Sequence, residues 1–282
     1  MSIQLRVMNE GDLDQAFVLT QQLKWPHRRA DWQQALQLGE GVAAERDGEL
    51  IGTALCWRWG RDYATLGLVI VADAAQGKGI GQQLMQSVLD TLADSNVRLH
   101  ATEAGKGLYE KLGFVAIGKV QQHQCRELGG IIAELPAAGQ QLRDAQANDA
   151  ERLTLLDHQA HGQYRPQLIA ELLSHAERVR VLEQDGDIAG FACVRRFGHG
   201  YSIGPIIAHS LPQAILLVSQ SLSDLSGQFV RIDTDAVSGL GEWLSAQGLV
   251  AVDAPTIMVK GTPWQPVAGG TQVFGLMTQA MG

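Results

Sequence analysis

Residues 65–81 read TLGLVIVA (65–72) followed by DAAQGKGIG (73–81), and this junction decides the architecture. A near-continuous apolar run of this length suits a strand buried on both faces. The composition then changes: Gly77, Gly79 and Gly81 alternate with Lys78 and Ile80. From there Ile80, Leu84, Met85, Val88, Leu89 and Leu92 recur at helical spacing, which predicts an amphipathic helix over 78–93. A strand, a glycine loop and a helix start, in that order, make a site for phosphate oxygens. Without Cβ atoms the loop lets a ligand reach the backbone. The helix start offers unpaired N–H groups at the positive end of its dipole, and Lys78 adds a point charge. A G-x-x-x-x-G-K-[ST] loop is absent, and a G-x-G-x-x-G count from Gly77 meets Gln82 in its last place.

The surrounding segments predict a mixed α/β unit. A strand over 3–7 leads into a helix that begins near Asp12, with Leu13, Ala16, Phe17 and Thr20 on one side. Strands 42–46 and 50–59 flank Asp47-Gly48, a dipeptide suited to the positive φ of a hairpin turn. Downstream, strand 97–102, a short helix 106–112 and strand 114–124 complete the unit.

Gln76, Gly79 and Gly81 match the coenzyme A loop Q/R-x-x-G-x-G/A of the GNAT N-acetyltransferases, in the same strand-to-helix context. Leu108-Tyr109-Glu110-Lys111-Leu112-Gly113-Phe114 resembles that family's L-Y-x-x-L-G-F element. The resemblance covers residues 3 to about 125. It implies acetyl-coenzyme A as cosubstrate, held by Val69, Ile70, Val71, Gln76, Gly77, Lys78, Gly79, Ile80, Gly81 and Glu103. It also implies that the fourth and fifth strands splay apart beside a bulge within Leu68–Val71, where a backbone N–H polarises the acetyl carbonyl. Tyr109 is the implied general acid, because an ordinary phenol near pKa 10 suits protonation of a departing thiolate. The base is open: residues 65–71 hold no carboxylate, and Glu103, Asp62 and His27 remain candidates. His27, in Trp25-Pro26-His27-Arg28-Arg29, falls where the family gates its acceptor, so it is also a candidate substrate contact.

The chain repeats itself. VAAERDGELIGTALCWRWG (42–60) aligns with RVLEQDGDIAGFACVRRFG (180–198), and Gln4-Leu5-Arg6 aligns with Gln141-Leu142-Arg143. KLGF (111–114) likewise aligns with AQGL (246–249). Two copies are expected, 1–128 and 137–282, joined through the small-residue segment around Pro136. The second copy lacks the chemistry. Its loop position reads IAHSLPQA (207–214), where Pro212 removes a donor, and Leu244 stands opposite Tyr109. Gln272–Met281 reads as its closing strand. Asp233 and Asp235, at the end of a strand over 229–233, are expected to face a cationic amine if this half walls the acceptor site. A stabilising or dimerising role, giving a homodimer, weighs equally with that one.

Composition bounds the remainder. Hydrophobic residues at 45% and charged residues at 18% describe a folded chain. A net charge of −8 argues against nucleic acid or an anionic membrane as partner. Three scattered cysteines, Cys56, Cys125 and Cys193, predict buried thiols and not disulfides or zinc. His158 and His161 lack a third ligand, so no metal is expected. No signal or spanning segment is read at the N-terminus or elsewhere, which predicts a cytoplasmic protein. The expected activity is acetyl transfer to a primary amine of a small molecule by direct attack in a ternary complex. The alternatives are a non-catalytic acyl-coenzyme A sensor and a protein N-acetyltransferase.

Overall fold

Arg6 explains why each copy begins with Gln-Leu-Arg. In the computed structural model, which describes residues 3–282, its guanidinium pairs with Asp12 at 2.6 Å and Glu45 at 2.7 Å. Arg143 pairs in the same way with Asp149 and Glu183, each at 2.7 Å. Each arginine thus ties the first strand of its copy to the following helix and hairpin.

The first copy comprises β1 (Gln4–Val7), α1 (Leu13–Gln22), α2 (Arg29–Leu38), β2 (Glu40–Arg46), β3 (Glu49–Trp59) and β4 (Tyr63–Val71). It continues through α3 (Ile80–Thr91), β5 (Asn96–Ala101), α4 (Glu103–Lys111) and β6 (Val115–Cys125). The second copy repeats the order as β7 (Gln140–Asp144), α5 (Ala150–His161), α6 (Pro166–His175), β8 (Arg178–Gln184), β9 (Asp187–Phe197) and β10 (Gly200–Ala208). It closes with α7 (Leu211–Ser223), β11 (Val230–Asp235), α8 (Leu240–Ala246), β12 (Val250–Asp253), β13 (Thr256–Lys260) and β14 (Gln272–Gly275). Both hairpins turn on positive φ, at Asp47 and Gly48 and at Asp185 and Gly186, as the Asp-Gly dipeptides require. The expected elements agree within a few residues, with one correction. The closing strand read over Gln272–Met281 stops at Gly275, and the rest runs on without regular structure.

The two copies share one mixed sheet, β1-β2-β3-β4-β5-β13-β6-β11-β10-β9-β8-β7. They exchange strands that follow α4 and α8. β13 inserts antiparallel beside β5, with Thr256 opposite Ala101 and Lys260 opposite Val97. In return β6 pairs with β11, with Cys125 opposite Val230. The expected cut between residues 128 and 137 therefore divides the sequence repeat but not the sheet. Burial follows the same pattern. One core joins Leu13, Ala16, Trp32 and Trp57 of the first copy to Leu153, Leu156, Leu168 and Phe191 of the second. Separate cores lie under α3 and α4 (Leu84, Met85, Tyr109) and under α7 and α8 (Leu217, Leu222, Leu244). Cys56 and Cys193 are buried and Cys125 is half-buried; all three are free thiols. Among the described residues no helix is long and apolar enough to cross a membrane.

Candidate active site

Thr53 and Leu68 open the site. The register of β4 on β3 slips between the pairs Thr53–Ile70 and Leu55–Gly67. Leu68 takes up the extra residue at φ +51°, and its carbonyl accepts the Thr53 hydroxyl at 2.8 Å. A leucine held in this region costs on the order of 1–2 kcal/mol, and the buried hydroxyl bond helps to hold it. Along its other edge β4 pairs with β5 only from Tyr63 to Thr65. Past that point the strands part, and the backbone from Leu66 to Val71 borders a cleft of about 610 Å³.

The glycine loop forms the next wall. Gln76 folds back, its Nε2 donating to the Val71 carbonyl at 3.1 Å and to Asp73 Oδ1 at 3.0 Å. Gly77 and Gly79 have φ of +74° and +77°, and a Cβ on either would enter open space. Only glycine adopts these angles without strain, and a side chain would project into room left beside the backbone. Gly79 caps α3 without any side-chain acceptor, and from Gly77 to Gln82 no backbone N–H finds an acceptor among the described residues. Such a run of free donors at a helix start, bordering a cleft, fits a pyrophosphate. Gln76, Gly77, Gly79, Ile80 and Gly81 line the cleft with Val69, Ile70 and Val71. Lys78 and Glu103 do not line it; both are exposed.

Tyr109 closes the inner end. Thr102 caps α4, its Oγ1 accepting Gly105 N–H at 3.3 Å. Gly105 leaves room for the phenol, since a Cβ there would sit 3.0 Å from Tyr109 Cε2. The ring packs edge-on to Phe114 at 6.1 Å. Burial alone pushes the hydroxyl up to about 12, above the ordinary value on which the general-acid expectation rested. The phenol keeps its proton at neutral pH, and full transfer to a thiolate near the ordinary 8.5 is uphill by roughly three pH units.

The cleft continues into a second cavity of about 350 Å³ that shares Trp25, Gly67, Leu68, His100 and Thr102 with it. The far wall belongs to the second copy and to the end of the chain. Gln279 accepts from His100 Nδ1 at 2.6 Å, and a Cβ on Gly67 would lie 2.7 Å from the Cβ of Ala280. Thus the segment after β14 fills part of the gap between β4 and β5. β14 occupies the equivalent gap of the second copy beside β10.

The remaining expected residues separate. His27 lines the second cavity, packed against Trp25, Trp32 and Phe197. Burial, offset in part by Asp31, pushes its pKa down to about 4, so the ring is neutral. Asp233 lines the same cavity, but its carboxylate is held by Arg231 at 2.8 Å and by Gln279 at 3.1 Å. Asp235 borders a different cavity with Arg98 and Trp264 and accepts the Val237 N–H at 3.0 Å. The expectation that both aspartates face one amine is therefore corrected: one is buried in an ion pair and the other caps a turn. Asp62 lies in the β3–β4 turn, outside either cavity. Sequence reading missed Arg195, which is buried in the second cavity. No sequence signal marked it, since β9 does not alternate: Ile188 to Arg195 are all buried and Arg196 is exposed.

Residues 15–126 and 153–275 each match a model described as an acetyltransferase (GNAT) domain. Among curated proteins the chain is 29% identical over 239 residues to the uncharacterized N-acetyltransferase YitH of Bacillus subtilis, covering 83% of this chain and 82% of that one. A putative acetyltransferase from Pyrococcus horikoshii has the same fold at a TM-score of 0.80 and 21% identity, covering 99% and 96% of the two chains. A tandem GNAT protein from the clavulanic acid biosynthesis pathway superposes at 0.67 and 14% identity, covering 92% and 98%. With a free-amide glycine loop in the first half and the same scaffold repeated in the second, the chain belongs to the GNAT acetyltransferases as a tandem protein.

Proposed function

We propose that the protein transfers the acetyl group of acetyl-coenzyme A to the primary amine of a small molecule, by direct attack within a ternary complex. The observation that carries this reading is the continuity of the two cavities. The cleft with the free amides of Gly77–Gln82 opens past Leu68 into a second cavity walled by the other copy. Acetyl-coenzyme A would supply an activated carbonyl and a thiolate leaving group. Gly77 to Gln82 would hold its pyrophosphate, and the bulged edge at Leu68–Ile70 would polarise the carbonyl. Tyr109 would hydrogen-bond the sulfur. β4 holds no carboxylate to take the proton lost by the amine, which would pass through the cavity lined by His27 and His100 towards solvent.

A cavity closed by Trp25, Phe197 and the Thr278–Ala280 segment favours a small acceptor over an extended peptide, which needs an open groove. A non-catalytic sensor would need neither Tyr109 nor the second cavity. Three free cysteines fit the reducing cytoplasm that the reading carries with it. The test is release of free thiol from acetyl-coenzyme A across an amine library. Binding of acetyl-coenzyme A without thiol release with any amine would favour the sensor.

A further inference from the structure

Arg195 and Arg231 stand in the acceptor cavity with one buried carboxylate between them. Arg231 takes it, donating to both oxygens of Asp233. The nearby Asp31 is the strongest charge attraction on Arg195 and borders a separate pocket with it, but it is already engaged by Arg28 at 2.7 Å. Arg195 forms no ion pair among the described residues. Its Nη2 donates to the Met277 carbonyl, and its Nε is buried without any partner. Both guanidinium groups also lie over the Phe197 ring, at 5.2 Å and 5.5 Å. The two histidines of the cavity, His27 and His100, are neutral because burial disfavours their charged forms. The other charged groups of the lining, Lys24 and Asp253, are exposed and of opposite sign, so the buried lining carries one positive charge in excess. A buried charge without a counter-charge is costly, as is an unfilled donor.

We infer that the acceptor amine also carries a carboxylate, and that Arg195 is the residue that binds it. This rests on the transferase reading above. Arginine suits the task because its planar fork meets a carboxylate through two N–H groups. A carboxylate there would neutralise the excess charge, fill the Nε donor and lie in the cavity that leads to Leu68. The acceptor class is then an amino acid or a related amino carboxylic acid. It is not a simple alkylamine, nor a polyamine, which the excess positive charge would repel. The sign is opposite to that expected from the protein's net charge of −8, because the local lining and not the total sets the field in a closed cavity.

The experiment compares matched pairs, each an amino acid and its decarboxylated amine, in thiol-release kinetics at saturating acetyl-coenzyme A. The acid is expected to be preferred in kcat/KM on the order of 10²-fold, the scale of a buried charged hydrogen-bonded pair. Arg195→Gln should raise KM for the acid and lower it for the decarboxylated amine, since the repelling charge is gone, while Arg195→Lys restores part of the preference. Because Arg195 also holds Met277, a merely structural loss would raise KM for both members of a pair alike, and that result overturns the inference. So does a native enzyme indifferent to the carboxylate. If no amine of either series releases thiol, the transferase reading fails. The anion site is then tested by calorimetry of the same pairs in the presence of coenzyme A. Carboxylate-selective binding lost in Arg195→Gln supports it, and equal or absent binding overturns it.

Discussion

His100 Nδ1 lies 2.6 Å from the carbonyl oxygen of Gln279, a contact that spans 179 residues and anchors the end of the chain in the gap between β4 and β5. Facing a carbonyl, Nδ1 must carry the proton; Nε2, 3.4 Å from the Arg98 guanidinium, is left as acceptor. The ring is thus neutral, and burial beside Arg98 pushes its pKa down to about 3 from the ordinary 6.5. His27 and His161 are pushed down to about 4, also chiefly by burial. In the unfolded chain all three take up protons near 6.5, so acid favours unfolding. Stability is fully present above that value and falls as pH drops from 6.5 towards 4. Each histidine contributes about 2 kcal/mol between pH 7 and 5. Denaturant unfolding at these two pH values checks this, and His100→Gln should make the slope shallower. Equal stability at both would show that the folded rings are protonated.

Gly79→Glu should weaken acetyl-coenzyme A binding on the order of 10²-fold or more, since a carboxylate beside the pyrophosphate adds like-charge repulsion. A Cβ at this position meets nothing within 4 Å, so the fold should persist at the cost of backbone strain alone. Calorimetry with the intact chain, together with its melting temperature, separates lost binding from lost folding. Unchanged affinity would place the pyrophosphate elsewhere.

Tyr109→Phe should lower kcat by roughly 10²-fold while acetyl-coenzyme A affinity stays nearly constant, because the hydroxyl matters most as the sulfur leaves. With the phenol pushed up to about 12, the native pH–rate profile should show no fall from tyrosine ionisation below about pH 11. An alkaline limb near 9 that disappears in Tyr109→Phe would contradict the buried, protonated phenol.

Neither half should fold alone. Residues 1–128 lack β13, which covers β5, and residues 137–282 lack β6, which covers β11. Each would expose a long unpaired strand edge. Expressed together the halves should co-purify and melt as one unit. Cooperative, independent melting of either fragment would disprove the exchange.

Much of the site was legible because its signals are local. Gly77 and Gly79 are glycine because the backbone there needs positive φ, and Gln76 is present to brace the loop against Val71. Asp47-Gly48 and Asp185-Gly186 specify their turns for the same reason. The loss of the second cofactor site is also local: Pro212 and the apolar residues around it cannot form the loop, whatever surrounds them. Asp233 could not be assigned from sequence, because its position at a strand end is the same whether it faces substrate or pairs with Arg231.

By itself, then, the sequence determined the two copies, the order of their strands and helices, the glycine loop and the helix behind it. Each of these follows from the conformational range of single residues or from periodicity within one segment. Only the tertiary structure decided that β6 and β13 change places, since an alternating strand pairs equally well with either copy's open edge and the shared core selects between them. It also decided that residues 276–282 leave the sheet to fill the gap by Gly67. Arg195 became a buried cation with no ion-pair partner among the described residues only through the cavity that three distant segments enclose. The cost of burying a charge depends on which groups surround it, and those neighbours are set by packing across the whole chain.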